Sequence, residues 1–299
     1  WYSERGLVDS GAIARTLDLL TTKNMLYNED GAKWFRASEF GDEKDRVVVR
    51  ENGATTYFAS DIAYHFEKRE RGFTHLLDVL GSDHHGYVAR VRAGLEAMGE
   101  QNECLEVRLV QFVTLYRGRQ KMQMSTRSGE YVTLRQLREE VGNDAARFFY
   151  VSRSNDQHLD FDLELAKSHS NDNPVYYIQY AHARVASMLS RMQEENIAFG
   201  GPAGADLTRL TEAAEHELMV ALSRYPEQVH LAAVNRAPQQ IAHYLRDTAA
   251  AFHACYNSHR VLVDDDAELR DARVSLALAT QQIIRNGLTL LGVAAPTKM

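Results

Sequence analysis

The sequence predicts an α/β domain built on a parallel sheet, followed by an all-α helical bundle. Three observations predict it. Two apolar runs rich in β-branched residues, HLLDVLG at 75–81 and EVRLVQFVTLY at 106–116, flank a helical stretch from Tyr87 to Met98. Strand, helix, strand is the order of a parallel crossover unit. At SHSNDNP (168–174) the composition changes to polar turn formers and Pro174, and beyond it only helical periodicity remains. The expected domains are therefore residues 1–168 and 169–299.

In chain order, residues 1–30 read as helices, because Ala12, Ile13, Leu17, Leu19 and Leu20 recur at helical spacing after a capping Ser10. RVVVR (46–50) and TTYF (55–58) flank Asn52-Gly53, a pair suited to a tight hairpin turn, so Tyr57 is expected to end a strand. Ser60 then reads as a helix N-cap, which puts Asp61 in the first turn of a helix stopping at Gly72. In the second domain, helices are expected over 175–192, 207–222, 238–256 and 267–291. The last carries an apolar stripe of Leu269, Ala272, Leu276, Ala279, Ile283 and Leu290.

The 299 residues exceed the usual single core, and 44% hydrophobic with 25% charged residues is an ordinary globular balance. A net charge of -7 argues against indiscriminate binding to nucleic acid, though not against a local basic path. The sequence has no run of apolar residues long enough for a membrane helix and no secretory signal, so a cytoplasmic location is expected. Cys104 and Cys255 stand far apart with no ligand spacing around them, and both read as reduced thiols. The opening at Trp1 reads as the start of a fragment.

Three segments could carry chemistry. In YFASDIAYH (57–65), Tyr57 and Asp61 could wall a pocket, although a carboxylate near a helix start also serves simply to complement the helix dipole. GSDHHGY (81–87) runs out of a buried strand between two glycines, with Asp83, His84 and His85 free to face a ligand. The same triplet could bind metal as in a DHH-type phosphoesterase, but the further carboxylates of a two-metal site are missing. YRGRQKMQMSTRSGEYVTL (116–134) sets Arg117, Arg119, Lys121 and Arg127 among small polar residues after a strand, at the carboxyl edge where such sheets bind ligands. It suits polyphosphate or is a solvated basic loop.

These segments, followed by NPVYYIQYAHAR (173–184), resemble the bacterial arginyl-tRNA synthetases over nearly the whole chain. MSTRSGEYVTLRQL, VGNDAARFFYVSRS and DFDLELAKSHSNDNPVYYIQYAHAR carry that resemblance most specifically. It implies the later part of a class I, Rossmann-like catalytic domain and a DALR-type anticodon-binding domain. It assigns Tyr57, Asp61, His84 and His85 to arginine, and Gly81, Asp83, His84, Met124, Ser125 and Gly129 to ATP. Residues 123–130 stand in the place of the KMSKS loop, with Gln123 and Thr126 where lysines are usual; Arg127 or Lys121 would supply the charge, with Ser125 beside them as a catalytic-loop residue. Tyr176, Tyr177, Tyr180, His182 and Arg184, with Met299, would meet the anticodon.

The partners implied are tRNA-Arg, arginine and ATP with Mg²⁺ as substrate, with no protein-bound metal, in a monomer. The His-x-Gly-His loop of class I catalytic domains does not occur among the contexts of the twelve histidines, so the chain alone is expected to be inactive. The competing readings are the metal phosphoesterase and a bare RNA-binding helical module.

Overall fold

The computed structural model describes residues 1–122 and 131–299, apart from the side chain of Asn102. It divides into two compact units, residues 1–112 and 113–299.

The first unit opens with α1 (Glu4–Asp9) and α2 (Ala12–Thr22), then β1 (Leu26–Glu29), β2 (Ala32–Phe35) and β3 (Arg46–Val49). β1, β2 and β3 form an antiparallel sheet inside and beyond the region expected to be helical. Asp30 and Gly31, both at positive φ (51° and 75°), make the tight turn that pairs Glu29 with Ala32. That Asp-Gly signal is as strong as Asn52-Gly53 and was outweighed by the helical spacing before it.

The expected hairpin at 46–58 is reduced to β3 plus a single bridge, Val49 with Thr55. Thr56, not Ser60, caps α3 (Tyr57–Glu70): its Oγ1 accepts from Ala59 N at 3.4 Å. Phe58, Ala59, Ile62 and Ala63 are buried at helical spacing, and this burial carries the chain into helix four residues earlier than expected. Tyr57 is thus the first residue of a helix rather than the last of a strand, and Asp61 sits in its second turn.

β4 (Leu76–Gly81), α4 (Tyr87–Ala97) and β5 (Leu105–Val110) form the expected parallel crossover, in register from Leu76 opposite Leu105 to Gly81 opposite Val110. α3 and α4 pack so closely that a Cβ on Gly94 would lie 2.7 Å from Ile62 Cγ1. Leu77 and Val79 on β4 stay 42% and 64% exposed, although parallel strands are ordinarily covered on both faces.

The second unit begins with β6 (Val113–Arg117), β7 (Gln120–Lys121), α5 (Leu134–Val141), α6 (Asn143–Val151), β8 (Leu159–Asp162) and α7 (Leu163–Lys167). The single strand expected over 106–116 is therefore two, interrupted at Gln111 and Phe112. β6 pairs antiparallel with β7 and parallel with β8.

Then come α8 (Pro174–Glu194), α9 (Ala213–Ser223), α10 (Tyr225–Val234), α11 (Gln239–Ser258) and α12 (Ala267–Leu291), with no strand beyond β8. α10 escaped the sequence reading because only Ala232 of it is buried. On α12 the buried line is Ala272, Leu276, Thr280, Ile284, Gly287, Leu288 and Leu291, while Ala279 and Leu290 of the expected stripe are exposed. Gly287 turns the face: a Cβ there would lie 2.6 Å from Leu245 Cδ2 of α11, so the helices touch backbone to side chain. One core joins Leu115, Phe148 and Phe161 to Ile178, Leu245 and Ile284, so packing runs on through residue 168.

Candidate functional site

Two groups of side chains deserve functional attention, one in each unit. In the first, Tyr57 and Asp61 lie four residues apart on α3 and share a face. Tyr57 is 81% exposed. The Asp61 carboxylate accepts a short hydrogen bond from the Tyr87 hydroxyl at the start of α4. Burial, then the bond to Asp61, push the Tyr87 phenol well above its usual range, so it stays a donor at neutral pH.

One turn on, His65 anchors the helix: Nδ1 faces Asp61 O at 2.7 Å and Nε2 faces Asp78 Oδ2 at 2.6 Å, where Lys68 adds a contact of 3.3 Å. Burial alone would raise the Asp78 carboxyl, but the bonds from His65 and Lys68 outweigh it and hold it below its usual range.

A cavity of about 230 Å³ opens beside Asp61, lined by Tyr2, Glu4, Leu7, Ser60 and Tyr64. The Tyr2 and Tyr64 rings stack with centroids 5.1 Å apart. Glu4 was missed by the sequence reading. Ser3 caps α1 through a 3.4 Å bond from Gly6 N, so Glu4 passes for an ordinary first-turn acid. Two carboxylates facing aromatic walls suit an organic cation with an apolar stem.

Gly81 ends β4, and a short 3-10 turn of Ser82–His84 follows. A Cβ on Gly81 would stand 2.6 Å from Asp83 Oδ1, the tip of an exposed side chain that is free to swing aside. His84 meets Tyr87 edge to face at 6.2 Å, linking this loop to Asp61 through Tyr87. Asp83, His84 and His85 are exposed. Among the described residues no three His, Cys, Asp or Glu side chains converge into a cage for a metal ion.

Of the basic segment, Lys121 lies exposed on β7, opposite Tyr116. Gln123, Met124, Ser125, Thr126, Arg127 and Gly129 fall outside the described residues. Arg117 is occupied elsewhere: it binds Glu140 at 2.5 and 3.0 Å, and Lys167 joins the same carboxylate at 3.0 Å. These bonds, Arg117 first, hold the Glu140 carboxyl at about 2.

In the second unit the site is the aromatic face of α8. Rings stack in sequence: His169 on Tyr176 at 5.4 Å, Tyr176 on Tyr180 at 6.1 Å, and Tyr180 on His253 of α11 at 5.4 Å. Tyr177 leans on His253 at 4.7 Å. The Arg184 guanidinium lies 4.2 Å over the Tyr256 ring and 5.9 Å from Tyr180. Tyr176, Tyr177 and Tyr180 were legible at helical spacing; His169, His253 and Tyr256 come from other segments and were not.

His182 does not join this face. It is 3% exposed, and its Nδ1 bonds Pro296 O at 2.8 Å. It belongs to a clamp on the residues after α12. Gln179 reaches Ala294 O at 2.9 Å, Asp144 accepts from Ala294 N at 3.2 Å, and Arg147 Nε donates to Leu291 O at 2.5 Å. The clamp leads the tail to Met299, which shares a pocket of about 570 Å³ with His169, Tyr176 and Gln179.

The model of the class I (R) tRNA synthetase catalytic domain matches residues 6–168, and that of the DALR anticodon binding domain matches residues 178–299. Fold and matches together define the class as a class I aminoacyl-tRNA synthetase, represented by the later part of its catalytic domain and its helical anticodon domain. An arginine–tRNA ligase of Thioalkalivibrio sulfidiphilus is 59% identical over 300 residues, covering 100% of this chain and 51% of the relative. A Campylobacter jejuni structure described as an arginyl-tRNA synthetase superposes with a TM-score of 0.90 at 32% identity, over 100% of this chain and 64% of that one. Thermus thermophilus arginyl-tRNA synthetase follows at 0.78 and 26%, over 98% and 59%. The chain belongs to the arginyl-tRNA synthetase family, and it spans about half the length of the curated relatives it matches.

Proposed function

We propose that this chain is the half of an arginine–tRNA ligase that holds the side chain of arginine and reads the anticodon, with the functional boundary at residues 168/169. The observation that carries the first part is that Asp61 and Glu4 line one cavity beside stacked tyrosines. A guanidinium is planar with five donors, and each charge-assisted bond to a carboxylate contributes about 1.5–3 kcal/mol. Tyr87 donates to Asp61 and so fixes the oxygen that remains for the substrate. Tyr57, exposed on the same helix face, would pack the arginine stem. His84 and His85, at the carboxyl end of β4, would lie toward the reacting carboxylate and the ATP ribose, with Gly81 and Asp83 beside the nucleotide.

In the complete enzyme the arginine carboxylate would attack the α-phosphorus of ATP, expelling pyrophosphate, and a terminal ribose hydroxyl of tRNA-Arg would then take the arginyl group. Residues here position and neutralise rather than attack. Lys121, Arg127 and Ser125, with Met124 and Gly129, would face the triphosphate and its Mg²⁺. Without a His-x-Gly-His loop the chain by itself lacks donors for that charge, so it binds but does not aminoacylate. We place it in the cytoplasm as a monomer; no helix among the described residues is long and apolar enough to cross a membrane.

Tyr176, Tyr180, Arg184 and Met299 would receive unstacked anticodon bases, by stacking and by hydrogen bonds to base edges. Binding of this chain to a tRNA-Arg transcript, to the same transcript with a changed anticodon and to an unrelated tRNA tests the reading. Tighter binding to the first alone is expected; equal and steeply salt-dependent binding to all three would overturn it.

A further inference from the structure

Behind the aromatic face of α8, where Tyr180 is exposed, lies a group that the anticodon reading does not use. His253 of α11 is buried, 6% exposed, yet touches both Tyr180 and Arg184. Its Nε2 stands 3.4 Å from Tyr177 O, and its Nδ1 stands 3.4 Å from Arg184 Nη1. The carbonyl can only accept and the guanidinium can only donate. The ring is therefore neutral, with its proton on Nε2 and a lone pair on Nδ1 aimed at Arg184. A second proton would set an N–H and a positive charge against the guanidinium at that contact.

We infer that His253 is a positioning residue for RNA binding: its neutral ring backs Tyr180 and holds the Arg184 guanidinium flat on Tyr256, aimed at the bases in front. The inference rests on the anticodon reading and deepens it. A long Arg side chain has rotamer entropy to lose when it is fixed. A second-layer acceptor and a ring 4.2 Å beneath it order that side chain before RNA arrives. Tyr177, Tyr180 and Arg184 face the imidazole from α8, and Phe252 flanks it on its own helix, with Tyr256 one turn further on against Phe252; Arg184 is the only charged group among these. Burial first, and Arg184 after it, hold His253 below the usual histidine range. Protonation therefore needs a more acidic solution than an ordinary imidazole does, and it breaks the arrangement as it proceeds.

The test is binding of the 299-residue chain to a tRNA-Arg transcript and to its changed-anticodon copy, measured from about pH 7.5 down to about pH 5. The parent chain loses its preference for the first transcript as the pH falls. His253→Leu binds it about ten-fold more weakly at neutral pH, the size of one lost charge-assisted bond. His253→Gln, which offers an acceptor to Arg184 and a donor to Tyr177 O without titrating, keeps most of the affinity and shows no acid loss. Retention of the parent's pH profile by His253→Gln, or of full affinity by a folded His253→Leu, overturns the inference while leaving the anticodon reading intact. A parent chain that never distinguishes the two transcripts overturns the anticodon reading itself.

Discussion

At the scale of single residues, the proposed arginine site turns on Asp61 and Glu4. Asp61→Asn keeps the shape of the side chain and removes the charge, so arginine affinity is expected to fall at least ten-fold, the equivalent of about 1.4 kcal/mol. Glu4→Gln should act in the same direction. Calorimetric titration of the chain with arginine measures both, and an unchanged affinity in either variant would remove that carboxylate from the pocket. Lysine serves as the control, because a site built for a planar fork leaves its donors and acceptors unmatched by an ammonium. Asp61 was singled out through the family resemblance and Glu4 was not, since in local sequence a first-turn acid looks the same whether it faces solvent or a cavity.

At the scale of elements, close approach and buried charge set the stability of the helical unit. Glu215 of α9 is 0% exposed and bonds Arg273 Nε of α12 at 2.7 Å. Arg273→Met would leave that buried carboxylate without its cation, with only the 3.0 Å bond from Glu212 N remaining, at a cost of about 3–5 kcal/mol, read as a lower urea midpoint. Gly287→Val would drive a side chain into Leu245 and should cost about 1–3 kcal/mol by overpacking.

Glu140 gives a pH signature. Its folded value near 2 lies below the ordinary 4.5, so its stabilisation is present above 4.5 and is lost as pH falls from there toward 2. Thermal melts across that window should show Glu140→Gln losing less than the parent chain, and parallel curves would remove Glu140 from the acid response.

The elements themselves were only partly written in local sequence. The crossover β4–α4–β5 was plain because its strands are uninterrupted apolar runs. The start of α3 was misplaced because Thr56 and Ser60 are both good caps, and only the burial of Phe58 and Ala59 decides between them. α12 was recognised as a helix and its stripe was placed correctly at Ala272 and Leu276 but not further on, because the sequence marks Leu290 as apolar while the packing of Gly287 on Leu245 determines which side is inside. The aromatic face was half visible, since ring partners contributed by α11 and by the end of α7 become neighbours only through tertiary folding.

At the scale of the molecule, the two units predict separable behaviour. On the proposed reading RNA binding would fall to the helical domain and arginine binding to residues 1–112, so Asp61→Asn should leave tRNA affinity unchanged, while Arg184→Ala should leave the arginine isotherm unchanged. A filter-binding assay and calorimetry on the two variants check this, and a crossed effect would mean that the sites are coupled.

The open face of β4 carries a practical consequence. A two-stranded parallel sheet that shows Leu77 and Val79 to water is sticky as well as under-covered. Concentrated solutions of the chain should scatter light progressively even while every helix remains folded. Val79→Lys, placed on that face, should keep the solution clear without altering the circular dichroism spectrum. Handled as a reagent, the chain would therefore be limited in shelf life by colloidal rather than conformational stability.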